Sequence, residues 1–199
     1  MLKLILASAS PRRIELLKQI GLEFDIMPAN IDEDSEGFSE AGKYAMEMSR
    51  QKALFVAQKI QRSASEDTFV LGADTVVGID DHLLGKPADA NDAARMLKLL
   101  ENRWHEVTTG ITLVRANTLE AITEREVTRV KVTTFPKGFL DRYLASKEPI
   151  DKAGSYAIQG FGSLMVERIE GCYFNVMGLP LFRLSQMLER EGHEALSWT

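Results

Sequence analysis

Residues 67–80 read DTFVLGADTVVGID, a nearly continuous apolar run of strand length interrupted once, by Asp74. An ionised carboxylate inside such a strand is expensive unless it is paired or bound to a metal. Gly72 and Ala73 beside it leave room for close approach of a ligand or of another stretch of backbone. Strands and helices alternate on both sides of this run. Leu4-Ile5-Leu6 ends a short buried strand. Ser10 suits an N-cap, Pro11 the first helical position, and Ile14, Leu16, Leu17 and Ile20 the apolar face of a helix that Gly21 ends. A short strand is expected near 24–27, an acidic turn, NIDEDSEG, at 30–37, and a long helix over about 39–62. DHLLGKP turns back from the apolar run, and Asp89 caps a helix to about residue 100. Residues 104–134 read as a long hairpin, with alternation clearest in EVTRVKVT. A helix around 136–146, an irregular glycine-bearing segment at 151–162, strands near 164–177 and a helix from Pro180 complete the pattern. It describes an α/β fold with a mixed, mostly central sheet.

The 199 residues, 45% hydrophobic and 27% charged, suit one globular domain or two lobes sharing a core; one domain over 1–199 is expected. A net charge of −5 argues against wholesale binding to a nucleic acid backbone, so any anion site must be a local basic cluster. The single cysteine, Cys172, excludes an internal disulfide and fits a reducing compartment. The N-terminal apolar run is too short for a signal peptide and no stretch approaches a membrane span. A cytoplasmic protein without nucleic acid or membrane partners is expected, its oligomeric state open and a homodimer among the choices.

Several polar residues sit where they need a reason. In LASASPRRIELLKQIG, residues 6–21, two adjacent arginines open the first helix, where positive charge opposes the helix dipole. A bound anion would remove the conflict, since free N–H groups at that end favour one; the bland alternative is a capped surface helix with solvated arginines. On the 39–62 helix, Ala41, Tyr44, Ala45, Met48, Phe55 and Val56 fall on one stripe, and Lys52 lies within it. Either that lysine snorkels or it meets an anion. Asp74 has a plain alternative, a structural pair with a nearby lysine; neutralising it is expected to abolish turnover and leave the fold intact, and to stabilise the chain if no lysine partner depends on the charge. The tripeptide GKP, 85–87, places Lys86 near Asp74 if the return is a hairpin. EPIDKAGSYAIQGFG, 148–162, adds Lys152 and a lone amide, Gln159, in irregular backbone that suits ligand reading or an ordinary surface loop.

Other chemistries find little support. His82, His105 and His193 lack ligand spacing, and one cysteine makes a zinc site a poor fit. There is no G-x-S-x-G elbow, no G-x-x-x-x-G-K-[ST] loop and no G-x-G-x-x-G fingerprint. What is left is carboxylates with lysines and arginines, a set that suits magnesium or manganese and a phosphate-bearing substrate.

LASASPRRIELL, GADTVV, GKP, HEVTTG and DKAGSYAIQG followed by GLP occur here in the order and rough spacing of the Maf family, which the chain resembles from Leu6 to Pro180. One departure is LENRWHEV, 100–107, where the family usually carries a Ser-Gly pair before the histidine turn; this is a loop feature. The resemblance implies a fold like the inosine triphosphate pyrophosphatases, a mixed central sheet flanked by helices in two lobes with a cleft between them. It implies a hydrolase acting on phosphoric anhydrides. A nucleoside triphosphate would be cut between its α and β phosphorus atoms, in a housecleaning role, with a divalent metal, Mg2+ or Mn2+.

By the same resemblance, Ser8, Ser10, Arg13 and the first helix N-terminus would hold triphosphate oxygens. Lys52, Lys86 and Lys152 would neutralise the leaving pyrophosphate. Asp74 would be the general base, orienting water and touching the metal, with Glu33 as second metal ligand; Asp32 and Asp34 are the alternatives in that turn. A uracil or thymine edge pairs an acceptor with an N3–H donor, which the amide of Gln159 complements. The uninterrupted Pro11-Arg12, Thr75 and Gln159 resemble the dTTP/UTP branch, in which Arg12, Thr75 and Gln159 would set specificity, rather than the branch acting on 7-methyl-GTP. A third reading, a nucleotide-binding regulator of septum formation, would need neither Asp74 nor its lysines.

Overall fold

The computed structural model describes residues 2–32, 40–194 and 196–197. In chain order it comprises β1 (Lys3–Leu6), α1 (Pro11–Gln19), β2 (Phe24–Ile26), α2 (Ala41–Ile60), β3 (Thr68–Ile79), β4 (His82–Leu84) and α3 (Ala90–Leu100). The hairpin β5 (Trp104–Arg115) and β6 (Ala121–Val132) follows, then α4 (Phe139–Ala145), β7 (Val166–Glu170), α5 (Tyr173–Met177) and α6 (Leu181–Arg190). Short 3-10 turns lie at Glu148–Asp151, Ala153–Ser155 and Gly160–Met165. The α/β expectation holds. One mixed seven-stranded sheet runs β2-β1-β3-β5-β6-β7, with β4 on β3, and helices flank it.

The apolar run organises everything else. On one edge β3 pairs antiparallel with β5 from Phe69 to Gly78. On its other edge β1 pairs parallel up to Leu71, and β4 pairs antiparallel from Val77 onward. Residues 72–76 on that edge therefore face neither strand. The gap opens just beyond the carboxyl end of β1, the position where open α/β sheets form ligand crevices. Asp74 lies at its middle.

Side-chain alternation along β3 divides the packing. Phe69, Leu71 and Ala73 join Leu16 and Leu17 of α1 and Leu184 and Leu188 of α6 in one core. Val77 and Ile79, on the same face, join Met96, Leu97 and Leu100 of α3 in a second. Thr75 sits between the two. The opposite face is covered by α2, whose Ala53, Val56 and Ala57 pack on Ile5, Val70 and Val114. Two glycines let this helix lie directly on the sheet. A Cβ at Gly72 would stand 2.2 Å from the Ser49 carbonyl oxygen, and one at Gly110 2.1 Å from that of Ala45. Close approach is what carries Lys52 down to the level of Asp74.

The structure departs from the sequence expectation at the first cap and within 164–177. Ser10 occupies the N-cap of α1, but its side chain makes no capping hydrogen bond among the described residues; Asp89 does cap α3, accepting from the N–H groups of Asn91 and Asp92. Residues 173–177 are helix, not strand. Five residues are too few for periodicity to separate the two. Gly171 and Gly178, at φ 128° and 109°, bound the turn. Inside it the Asn175 amide donates to the Val107 carbonyl and the Thr128 hydroxyl, fastening the helix to β5 and β6.

Candidate active site

A cavity of about 410 Å³ opens at the gap in the β3 edge. The end of β1 and the start of α1 contribute Ser8, Ser10, Arg12 and Arg13 to its wall; α2 contributes Tyr44 and Lys52, and β3 contributes Asp74, Thr75 and Val77. Lys86 follows β4, and Asp151, Lys152 and Tyr156 come from the turns after α4. Among the described residues the lining thus holds five cationic side chains against two carboxylates, in a chain that is acidic overall. That is the local basic cluster the net charge required of any anion site.

Lys52 and Asp74 meet. The ammonium donates to the carboxylate Oδ1 at 2.6 Å, with the residues 7% and 6% exposed. Solvent does little to screen a contact this buried. The misfit on the helix stripe and the misfit in the strand are therefore one feature. Lys52 does not snorkel, and Asp74 has the lysine partner that the plain reading asked for. Both face the cavity as well, so the pair also lies where a ligand would sit.

Arg13 is buried and fixed by the protein itself. Its Nε donates to the Gly178 carbonyl at 2.9 Å, Nη1 to Ser8 Oγ at 3.2 Å and Nη2 to Thr75 Oγ1 at 3.2 Å. One guanidinium so joins α1, β3 and the end of α5. Arg12, the preceding residue, is half-buried on the cavity wall.

The two remaining lysines are brought in by one backbone contact. Gly154 N–H donates to the Gly85 carbonyl at 3.0 Å, tying the turn after β4 to the turn that carries Lys152. Only glycine fits there: φ is +67° and a Cβ would stand 2.9 Å from Val77. Lys152 Nζ donates to the Glu148 carbonyl and to Asp151 Oδ1, each at 2.5 Å. Desolvation raises the Asp151 carboxyl, but the Lys152 ammonium and the Arg12 charge hold it below the usual carboxylate range.

Behind the wall, Tyr156 Oη and His105 Nε2 are 2.6 Å apart. Burial pushes His105 down to about 4, so the ring is neutral near pH 7. Burial also raises the Tyr156 phenol, which stays protonated. His105 Nδ1 is buried with no hydrogen-bond partner among the described residues.

Of the residues singled out in the sequence, Ser8, Ser10, Arg12, Arg13, Lys52, Asp74, Thr75, Lys86 and Lys152 all line this cavity. Gln159 does not; it is exposed, outside the lining. Glu33 and Asp34 lie outside the described residues, and Asp32 is exposed. Among the described residues no group of three or more His, Cys, Asp or Glu is gathered to hold a metal. The sequence gives no separate signal for Asp151, Tyr156 and Thr109, which sit inside quoted segments, or for Asn175, which lies outside them. Among the described residues no helix is long and apolar enough to cross a membrane.

Known proteins bear on this arrangement at two levels. The fold is similar to that of a HAM1 protein from Coxiella burnetii, with a TM-score of 0.51 at 17% identity, over 96% of this chain and 100% of that one. An identity that low speaks to the fold alone. The chain is also 48% identical over 198 residues to a protein of Acetivibrio thermocellus named dTTP/UTP pyrophosphatase, with 98% of each covered. It is 44% identical over 196 residues to one of the same name from Caldicellulosiruptor bescii, again with 98% of each covered. The family model described as Maf-like protein matches residues 3–191, a span that takes in every wall of the cavity. By that match, and by identity maintained from end to end of its relatives, the chain belongs to the Maf family.

Proposed function

We propose that this cavity hydrolyses dTTP and UTP to the nucleoside monophosphate and pyrophosphate. The observation that carries the reading is a buried carboxylate, Asp74, beside Lys52 in a cavity whose lining holds five cationic side chains against two carboxylates. A triphosphate brings the anionic charge that Arg12, Lys86 and Lys152 would match, and the N-terminus of α1 favours the same charge. Asp74 would accept a hydrogen bond from a water molecule and aim it at the α-phosphorus. The new P–O bond forms there as the bond to the α–β bridging oxygen breaks, and that oxygen leaves with pyrophosphate. The water proton passes to the carboxylate. Lys52, already against Asp74, would meet the charge growing on the leaving group.

A divalent magnesium or manganese ion fits the hard oxygen donors of this site. Asp74 and Glu33 would hold it; Asn30, three residues before Glu33, lies on the cavity wall. When bound, such an ion draws charge from phosphate oxygens. Arg12, Thr75 and Gln159 are proposed to choose the base, Gln159 from its exposed position beyond the wall. The same substrates imply the cytoplasm as the working compartment.

The regulatory reading has one observation in its favour, since the Lys52–Asp74 pair would also serve as structure without turnover. Pyrophosphate release measured across dTTP, UTP, CTP, GTP and 7-methyl-GTP decides. Release from dTTP and UTP is expected. Preference for 7-methyl-GTP would move the chain to the other branch, and binding without release would make it a regulator.

A further inference from the structure

We propose that Thr109 is a positioning residue that turns the Thr75 hydroxyl proton away from the cavity, leaving there a lone pair that takes a hydrogen-bond donor of the ligand. A threonine hydroxyl has one proton and two lone pairs, and here the directions can be deduced one after another. Thr109 Oγ1 lies 3.1 Å from the Asn175 carbonyl oxygen, which can only accept, so the Thr109 proton is used there. Thr75 Oγ1 and Thr109 Oγ1 are 2.9 Å apart. With the Thr109 proton already placed, Thr75 must be the donor in that contact. Arg13 Nη2 donates to Thr75 Oγ1 at 3.2 Å, filling one of its lone pairs. One lone pair is left, on a half-buried side chain that lines the cavity.

Ser8, across the Arg13 guanidinium, has the opposite polarity. Its Oγ accepts from the Ser10 N–H and from Arg13 Nη1, each at 3.2 Å. Both lone pairs are occupied, so its proton is left to donate, which suits a phosphate oxygen. Thr75 cannot serve a phosphate in that way, because a lone pair repels an anionic oxygen. It needs an N–H or O–H. This rests on the pyrimidine triphosphate reading: off the phosphates, such a ligand offers the N3–H of uracil or thymine and the sugar hydroxyls. Cytosine has no N3–H.

Thr109 is fully buried and outside the cavity lining, so it acts only through Thr75. Replacing it with valine orphans no backbone group, because the Asn175 carbonyl also accepts from the Gly178 N–H at 2.9 Å. The test compares UTP, 3-methyl-UTP and 3′-deoxy-UTP as substrates of the wild type, Thr109→Val and Thr109→Ser. It is read as kcat/KM, or as Kd by calorimetry should the wild type bind without hydrolysing. The wild type is expected to lose at least about tenfold on one analogue. That analogue is 3-methyl-UTP if the base supplies the donor and 3′-deoxy-UTP if the sugar does. Thr109→Val is expected to lose about tenfold on UTP and to discriminate less against that analogue, while Thr109→Ser keeps the wild-type pattern. A wild type that takes both analogues as well as UTP overturns the proposal, whether or not the valine variant folds. So does a folded Thr109→Val with wild-type ratios. Binding of UTP without hydrolysis would refute the proposed reaction and leave this test standing; failure to bind UTP at all would refute both.

Discussion

Neutralising Asp74 while keeping its shape measures what the buried pair contributes. Without a lysine partner, Asp74→Asn would cost the fold little. With Lys52 Nζ at 2.6 Å and both residues under a tenth exposed, the variant removes the charge that faces this buried ammonium at closest range. Removing one member of a buried pair typically costs about 3–5 kcal/mol, against about 0–1 kcal/mol for an exposed one. Asparagine still offers an acceptor oxygen, so the expected cost is lower, about 2–3 kcal/mol. For a chain of this size that lowers Tm by about 5–10 °C. Lys52→Met takes the ammonium away from the carboxylate instead and is expected to cost about 3–5 kcal/mol. The double variant is expected to recover most of the loss, since it leaves neither charge of the pair buried. Urea unfolding of the four proteins gives the coupling directly, and about 2 kcal/mol or more is expected. If the two single losses add to within about 0.5 kcal/mol, the ion pair is not held in solution and the link from α2 to β3 fails with it. The double variant must also be inactive whatever its stability, because a restored fold does not restore the carboxylate.

Three further outcomes follow from other parts of the molecule. Gly72→Ala is expected to push α2 off the sheet at Ser49 and Ala53, costing about 1–3 kcal/mol in urea unfolding and lowering turnover as Lys52 leaves Asp74; unchanged turnover would show that the close approach is not needed. His105, held down to about 4 by burial, is expected to show no titration by NMR between pH 5 and 8. Because its folded value lies below the unfolded one near 6.5, its neutral form contributes stability that is lost as pH falls from about 6.5 towards 4; a midpoint near 6.5 in the folded protein would refute that burial. Gln159→Glu, at an exposed position, is expected to lower the UTP to GTP ratio of kcat/KM by about two- to tenfold with little change in Tm. An unchanged ratio would leave base reading to Thr75 and Arg12.

Most of the fold was legible because its signals are local. The apolar run of β3, the Asp89 cap and the alternation along β6 each need only a few neighbouring residues to be read. The helix at 173–177 was not legible, since its conformation depends on Asn175 reaching β5 and β6, residues far away in sequence. The site divides in the same way. Lys52 and Asp74 stood out as polar residues in apolar patterns, and the pattern said that each needed a partner. It did not say that they were each other's partner, which depends on how closely Gly72 and Gly110 let α2 approach. Arg13 looked like a free cation at a helix start but is bound to three segments of the protein. Gln159, in irregular glycine-bearing backbone, lies exposed outside the cavity lining, a placement that no local signal gives. The polarity of Thr75 is set by a carbonyl on a helix that only the folded chain brings near.

Hydrolysis at the α-phosphorus can be tested by the fate of solvent oxygen. With UTP as substrate in water enriched in 18O, mass spectrometry is expected to find one labelled oxygen in UMP and none in pyrophosphate. Label in pyrophosphate instead, or products that are UDP and orthophosphate, would contradict the placement of water by Asp74 at the α-phosphorus.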